Sequence, residues 1–387
     1  MFYKPDYNGN SIVNLMSSIS ECFGVKSVYM PLKLLNSKCL KDYSNIINIV
    51  IDGLGYNYLQ EKGTDFLKKN TLGKITSVFP TTTAACITSF ATGLAPKEHG
   101  VTGWFVRLKG KGEYVPAVLL PFSDRRNGES LLERRIHPED VFIDSRLSRK
   151  IRNLKIVLPE VLNNTVYTNY ILESADKLTY KGLDDFFESI ALTTINDKND
   201  QSYIYGYLPD LDAMIHKTGS TSPELSDLFY SISEKIEGLV NKIKGTNSII
   251  IITADHGLVD GDVKKRININ EFPEIHNMLD FPLCGEPRAA YCYVKERYKK
   301  DFIRIVSDRI GFAVEVLTKE QMMREDYFGL FSPHPDLSNR IGDFVLVCKE
   351  NYVIKDFLDN EDVDFHLADH GGLSSDEMFV PLIVIET

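Results

Sequence analysis

Apolar runs alternate along the chain with breaks rich in glycine and aspartate, and the period of the apolar positions changes from run to run. Asn45-Ile46-Ile47-Asn48-Ile49-Val50-Ile51 and Ser248-Ile249-Ile250-Ile251-Ile252 are almost continuously β-branched. That pattern predicts strands buried on both faces of a parallel sheet. Ser202 to Leu208 and Val380 to Ile385 predict further strands. A run from Ile75 to Phe79 predicts another, closed by Pro80, which cannot donate to a ladder. Leu225, Leu228, Ile232, Ile236 and Leu239 recur at helical spacing, predicting an amphipathic helix from about Pro223 to Lys244. Residues 10–40 read as a helical lead-in, with extra sheet strands at Lys155–Leu158 and Val166–Tyr170. Residues 262–350 carry a strand at Ala289–Val294, a helix near 297–310 and a strand at Phe344–Cys348. The alternation predicts an α/β fold, a doubly wound and mainly parallel sheet between helical layers. No repeat, low-complexity tract or Pro/Gly linker interrupts it. Residues 1–387 are therefore expected to form one domain, with 105–200 and 262–350 containing peripheral cap insertions.

Composition narrows the function. Hydrophobic content of 43% and charged content of 25% are ordinary for a soluble globular protein. The net charge of −10, from 54 acidic and 44 basic residues, argues against a nucleic-acid backbone binder. It also opposes an anionic substrate unless bound cations reverse the local field. The amino terminus lacks the basic-then-apolar layout of a signal peptide, and no apolar run approaches the ~18 residues of a membrane helix. Cys22, Cys39, Cys86, Cys284, Cys292 and Cys348 are scattered without a Cys-x-x-Cys pair. Reduced thiols in a cytoplasmic protein with no membrane contact are the expectation.

The chemistry-bearing residues follow predicted strands. Asp52-Gly53-Leu54-Gly55 ends the first β-branched run, and Thr253-Ala254-Asp255-His256-Gly257 ends the second. Open α/β sheets place their ligands at such strand ends. Thr81, Thr82 and Thr83 lie between a strand and a helix, where threonine serves as an N-cap or as part of an anion-binding helix N-terminus. Asp212 and His216, four apart, share a face if helical and can hold one cation. His370-Gly371-Gly372 precedes Ser374 and Glu377, which have capping-box spacing. The pairs Arg125-Arg126 and Arg134-Arg135 read as a solvated face, and His276 and His334 as ordinary loop histidines. Carboxylates and imidazoles without cysteine suit a catalytic divalent-metal site.

The sequence resembles the type I phosphodiesterase/nucleotide pyrophosphatase family of the alkaline phosphatase superfamily. The resemblance is carried in order by Ile51-Asp52-Gly53, Phe79-Pro80-Thr81-Thr82-Thr83 through Ala91-Thr92-Gly93, and His99-Gly100. It continues in Asp212 with His216, Thr253-Ala254-Asp255-His256-Gly257 and His370-Gly371-Gly372-Leu373-Ser374. It implies the alkaline phosphatase-like sandwich and two divalent cations, zinc first, with manganese or magnesium as substitutes. Thr83 is implied as nucleophile. Asp52, Asp255 and His256 would bind the cation that also meets Thr83, and Asp212, His216 and His370 the other.

The implied reaction is hydrolysis of phosphodiester or nucleotide pyrophosphate bonds of a small phosphate-ester substrate, through a phospho-threonine. Two positions depart from nucleotide-cleaving members. Ala84 stands where they usually carry Phe, and Trp104 stands where an Asn contacts a phosphate oxygen, making Trp104 the substrate-contact candidate. Phosphomonoesters or phosphonates are the alternative substrates for the same site. A non-catalytic metal-binding scaffold is the alternative of a different class.

Overall fold

The β-branched runs become the middle of a seven-stranded sheet in the computed structural model, which describes residues 1–35, 40–197 and 201–387. Its order is Thr71–Thr76, Phe379–Glu386, Ser248–Thr253, Asn45–Ile51, Ser202–Leu208, Leu154–Pro159 and Asp176–Tyr180. Asn45–Ile51 pairs in parallel with both neighbours, and only Phe379–Glu386 runs against the rest. All seven residues of Asn45–Ile51 and all six of Ser248–Thr253 are buried, as strands covered on both faces require.

Helices cover both faces. A Cβ built on Gly206 would lie 2.9 Å from Phe186, so the Leu183–Asn196 helix packs on that side, backed by Pro223–Lys242. On the opposite side Met16 of the Ile12–Cys22 helix meets Asn48 and the Tyr203 hydroxyl, and the Thr83–Thr92 helix packs beside it.

A second seven-stranded sheet is antiparallel and drawn from both inserted regions. Its order is Val314–Thr318, Phe344–Cys348, Ala289–Cys292, Cys284–Glu286, Phe105–Lys109, Tyr114–Val118 and Ser123–Asp124. The Gly285–Phe105 pair joins the two contributions across the chain.

Several local expectations are corrected. The strand expected over Ile75 to Phe79 is Thr71–Thr76, ending before Ser77, whose backbone N–H instead bonds Met378 O in the turn that leads to Pro80. Val166–Tyr170 is not a strand: Val166–Ile171 is helical, because Thr165 caps it from Thr168 N and Tyr167 and Ile171 are buried one turn apart. The additional sheet strand is Asp176–Tyr180, so the stretch 105–200 supplies two strands of the central sheet. In the lead-in the Ile12–Cys22 helix is followed by irregular chain to residue 35, and 36–39 lie outside the described residues. No helix among the described residues is long and apolar enough to cross a membrane.

Candidate active site

Asp52 follows the Asn45–Ile51 strand, Asp255 and His256 follow Ser248–Thr253, and Asp212 and His216 ride the Asp210–Thr218 helix after Ser202–Leu208. Adjacent parallel strands therefore deliver all five to one edge of the sheet. Thr83 opens the Thr83–Thr92 helix from the neighbouring loop. His370 arrives just before the antiparallel strand and is held by local chemistry. The Ser374–Glu377 capping box forms, Glu377 also accepts from Gly372 N, and the fully buried Arg288 guanidinium pairs with Glu377 at 2.7 Å.

The residues singled out from sequence converge. Thr83 Oγ1 lies 3.2 Å from His256 Nε2 and 3.4 Å from Asp52 Oδ2. His256 Nε2 lies 3.3 Å from Asp255 Oδ2, and His216 Nε2 lies 3.4 Å from Asp212 Oδ1. The rings of His256 and His370 stack at 3.9 Å. Ligand-capable atoms of Asp212, His216 and His370 fall within 4.8 Å of one another, as do those of Asp52, Asp212 and His256. The two groups share Asp212 and so lie side by side.

Each histidine is oriented the same way. Nδ1 of His216 donates to Ala368 O at 2.7 Å, that of His370 to Thr81 O at 3.0 Å, and that of His256 to Gly257 O at 3.2 Å. A backbone acceptor at Nδ1 leaves Nε2 as the bare nitrogen facing the cluster, the arrangement of a ligating imidazole. Burial lowers His216 and His256 to about 4 and holds His370 well below the ordinary histidine value. Burial, then repulsion between the two carboxylates, holds Asp52 well above the usual carboxylate range. Burial, then Asp212, brings Asp255 to about 7. Among the described residues four buried carboxylate oxygens have no hydrogen-bond partner: Asp52 Oδ1, Asp212 Oδ1, Asp255 Oδ2 and Asp369 Oδ2. Unpaired buried carboxylate oxygens facing bare imidazole nitrogens fit divalent cations.

The threonines divide their work. Thr81 Oγ1 donates to Gly372 O and accepts from Gly371 N, tying the His370 loop to the turn. Thr82 holds the N-cap position, yet its side chain makes no capping bond, so the simple capping role is not what the structure gives it. Trp104 lines the same cleft as Thr83, Asp52 and Asp212, and its backbone N–H donates to Glu286 Oε1 at 2.6 Å. His276 ends a short helix, and His334 accepts from Asp336 N, away from the cluster. Arg125 is not on a solvated face: it is buried and paired with Asp356 and Glu361, whereas Arg126 and Arg134 are partly exposed.

Four residues near the site escaped the sequence reading. Tyr207 donates its hydroxyl to Asp52 Oδ2. Glu286, from the second sheet, is buried beside Trp104, and burial pushes it up to about 8. His366 and Asp369 form a third group with His216. Only Asp369 carried a signal, since Asp369-His370 repeats the Asp255-His256 dyad.

Residues 46–373 match the family model described as "Type I phosphodiesterase / nucleotide pyrophosphatase". No relative was found among curated protein sequences. Among solved structures, murine ectonucleotide pyrophosphatase/phosphodiesterase 5 superposes with a TM-score of 0.62 at 18% identity, over 87% of each chain. An inactive form of that protein, with a threonine-to-alanine substitution and in complex with AMP, gives 0.60 at 18% identity, over 87% of each chain. Phosphonoacetate hydrolase from Sinorhizobium meliloti 1021, in complex with phosphonoacetate, gives 0.63 at 19% identity, over 89% of this chain and 90% of that one.

Proposed function

Because the chain belongs to the type I phosphodiesterase/nucleotide pyrophosphatase family, we propose that it hydrolyses phosphoric diesters or pyrophosphates with Thr83 as nucleophile. The observation that carries this is the place of Thr83 Oγ1, on the first residue of a helix, within 3.4 Å of both His256 Nε2 and Asp52 Oδ2. Asp52, Asp255 and His256 would hold one divalent cation together with Thr83, and Asp212, His216 and His370 a second. Zinc fits the nitrogen and oxygen donors, with manganese or magnesium as substitutes. Bound there, the cations would supply positive charge to the phosphoryl group and ease ionisation of a hydroxyl.

The chain supplies the rest. Thr83 Oγ attacks phosphorus, forming an Oγ–P bond as the ester P–O bond opposite it breaks, and the leaving group departs with the electron pair and takes up a proton in place of the one the hydroxyl gives to solvent. Water then attacks phosphorus, the Oγ–P bond breaks, and Thr83 regains its proton. The free N–H groups at the start of the Thr83–Thr92 helix suit phosphoryl oxygens. Trp104, at the cleft, is the substrate contact. One catalytic domain over residues 1–387 suits this reading, because Glu286 of the second sheet carries Trp104 into the cleft of the first.

The test is turnover of bis(p-nitrophenyl) phosphate against p-nitrophenyl phosphate, before and after chelation and with zinc or manganese restored. Diester cleavage lost on chelation and regained with metal supports the proposal. Full activity in metal-stripped protein contradicts it, preference for the monoester favours the phosphomonoesterase alternative, and failure with both esters leaves the non-catalytic scaffold.

A further inference from the structure

A cavity of about 430 Å³ opens beside Thr83 and runs between the Thr83–Thr92 helix and the face of the central sheet. Ile87 and Ala91, one and two turns after Thr83, form its helical wall, Ile156 and Tyr205 its floor, and Leu162 its far side. Native interiors hold few voids larger than a water molecule, so a space this size opening on a nucleophile is a built one.

The wall offers almost nothing polar. Tyr203 bonds Asn48, Tyr207 donates to Asp52, Tyr167 meets Thr88, Ser148 donates to Ile171 O, and Thr165 donates to Thr168. Among the described lining residues Tyr205 has the one hydroxyl without a partner, and no lysine or arginine faces the space. A nucleobase or a second phosphate would lose its water contacts there without replacement. Ala84 is fully buried and lies outside this lining, whose rings (Phe90, Trp104, Tyr167, Tyr203, Tyr205 and Tyr207) add apolar surface but no free donor set for the polar edge of a base.

We propose that the cavity holds an aliphatic chain on the phosphorus of the substrate, so that the natural substrate is a phosphodiester with a long alkyl or acyl-type substituent. This rests on the phosphoesterase reading of the same site. The chain is the group retained on phosphorus through the Thr83 step. The leaving group departs in line opposite the attacking oxygen, whereas the cavity begins on the helix that carries that oxygen.

A series of methyl, butyl and octyl p-nitrophenyl phosphodiesters tests it with the metal-loaded protein. Each buried methylene contributes about fourfold in kcat/KM, so octyl should exceed butyl by on the order of a hundredfold. Ala91→Phe, which fills the slot, should collapse the octyl-to-methyl ratio. If that variant does not fold, the wild-type series still decides. Active enzyme with a flat series overturns the proposal. If no ester is cleaved, the phosphoesterase reading fails instead. The slot is then judged by calorimetry of octyl phosphate against methyl phosphate: tighter octyl binding upholds it and equal binding overturns it.

Discussion

Removing one hydroxyl from Tyr207 should weaken metal binding without unfolding the protein. Tyr207 is 8% exposed and donates to Asp52 Oδ2, while Asp52 Oδ1 has no hydrogen-bond partner and faces His256 Nε2 at 3.6 Å. Tyr207 is thus the side chain that fixes how Asp52 presents its free oxygen. A hydrogen bond to a charged acceptor contributes about 1.5–3 kcal/mol, and loss of a partner that orients a metal ligand costs roughly 10–100-fold in metal affinity or activity. Tyr207→Phe should therefore bind zinc some 10–100-fold more weakly in a titration of metal-stripped protein against a chromophoric chelator. Its kcat should recover largely at saturating metal. Tyr7→Phe is the control, since that buried hydroxyl donates to the neutral Tyr327 O far along the chain. It should cost about 1 kcal/mol of stability and leave zinc affinity alone. Unchanged zinc affinity in Tyr207→Phe would refute the placing of Asp52 in the metal cluster.

Glu286 is raised from 4.5 to about 8 and so keeps its proton when folded across a range where the unfolded chain has lost it. The folded state then binds more protons, and stability falls as pH rises from about 4.5 to 8, by at most ~1.4 kcal/mol per pH unit. Glu286→Gln removes that slope, so its Tm advantage over wild type should grow with pH in thermal melts; a constant difference would contradict the assignment. Gly371 has φ +114°, and an added Cβ would fall 2.2 Å from Glu286 Cβ. Gly371→Ala should cost roughly 1–3 kcal/mol and depress activity by moving His370, whereas an unchanged Tm and rate would show the loop to be slack.

The strand-end candidates were legible in position because β-branched runs mark buried parallel strands and topology fixes where such strands end, while their roles came from the family resemblance. Asp52, Asp255 and His256 are placed by those strand ends alone, and Asp212 with His216 by a spacing that the Asp210–Thr218 helix realises. Val166-Tyr167-Thr168 misled, since β-branched and aromatic residues there pack as one buried turn started by the Thr165 cap. Glu286 could not be read because it reaches the site only through the Gly285–Phe105 pairing, between residues far apart in the chain. Tyr207 was hidden among alternating tyrosines, only one of which meets Asp52. The cavity was equally illegible: Ile87 and Ala91 carry the spacing of an ordinary core-facing helix, and nothing in a sequence says that the space before them stays open.

Trapping the covalent intermediate tests the central claim most directly. Metal-loaded protein quenched in acid during turnover of a diester labelled at phosphorus should carry the labelled phosphoryl group, with its retained substituent, on Thr83, and Thr83→Ala should carry none while still binding its cations. Label on Thr81 or Thr82, or undiminished turnover by Thr83→Ala, would contradict the account.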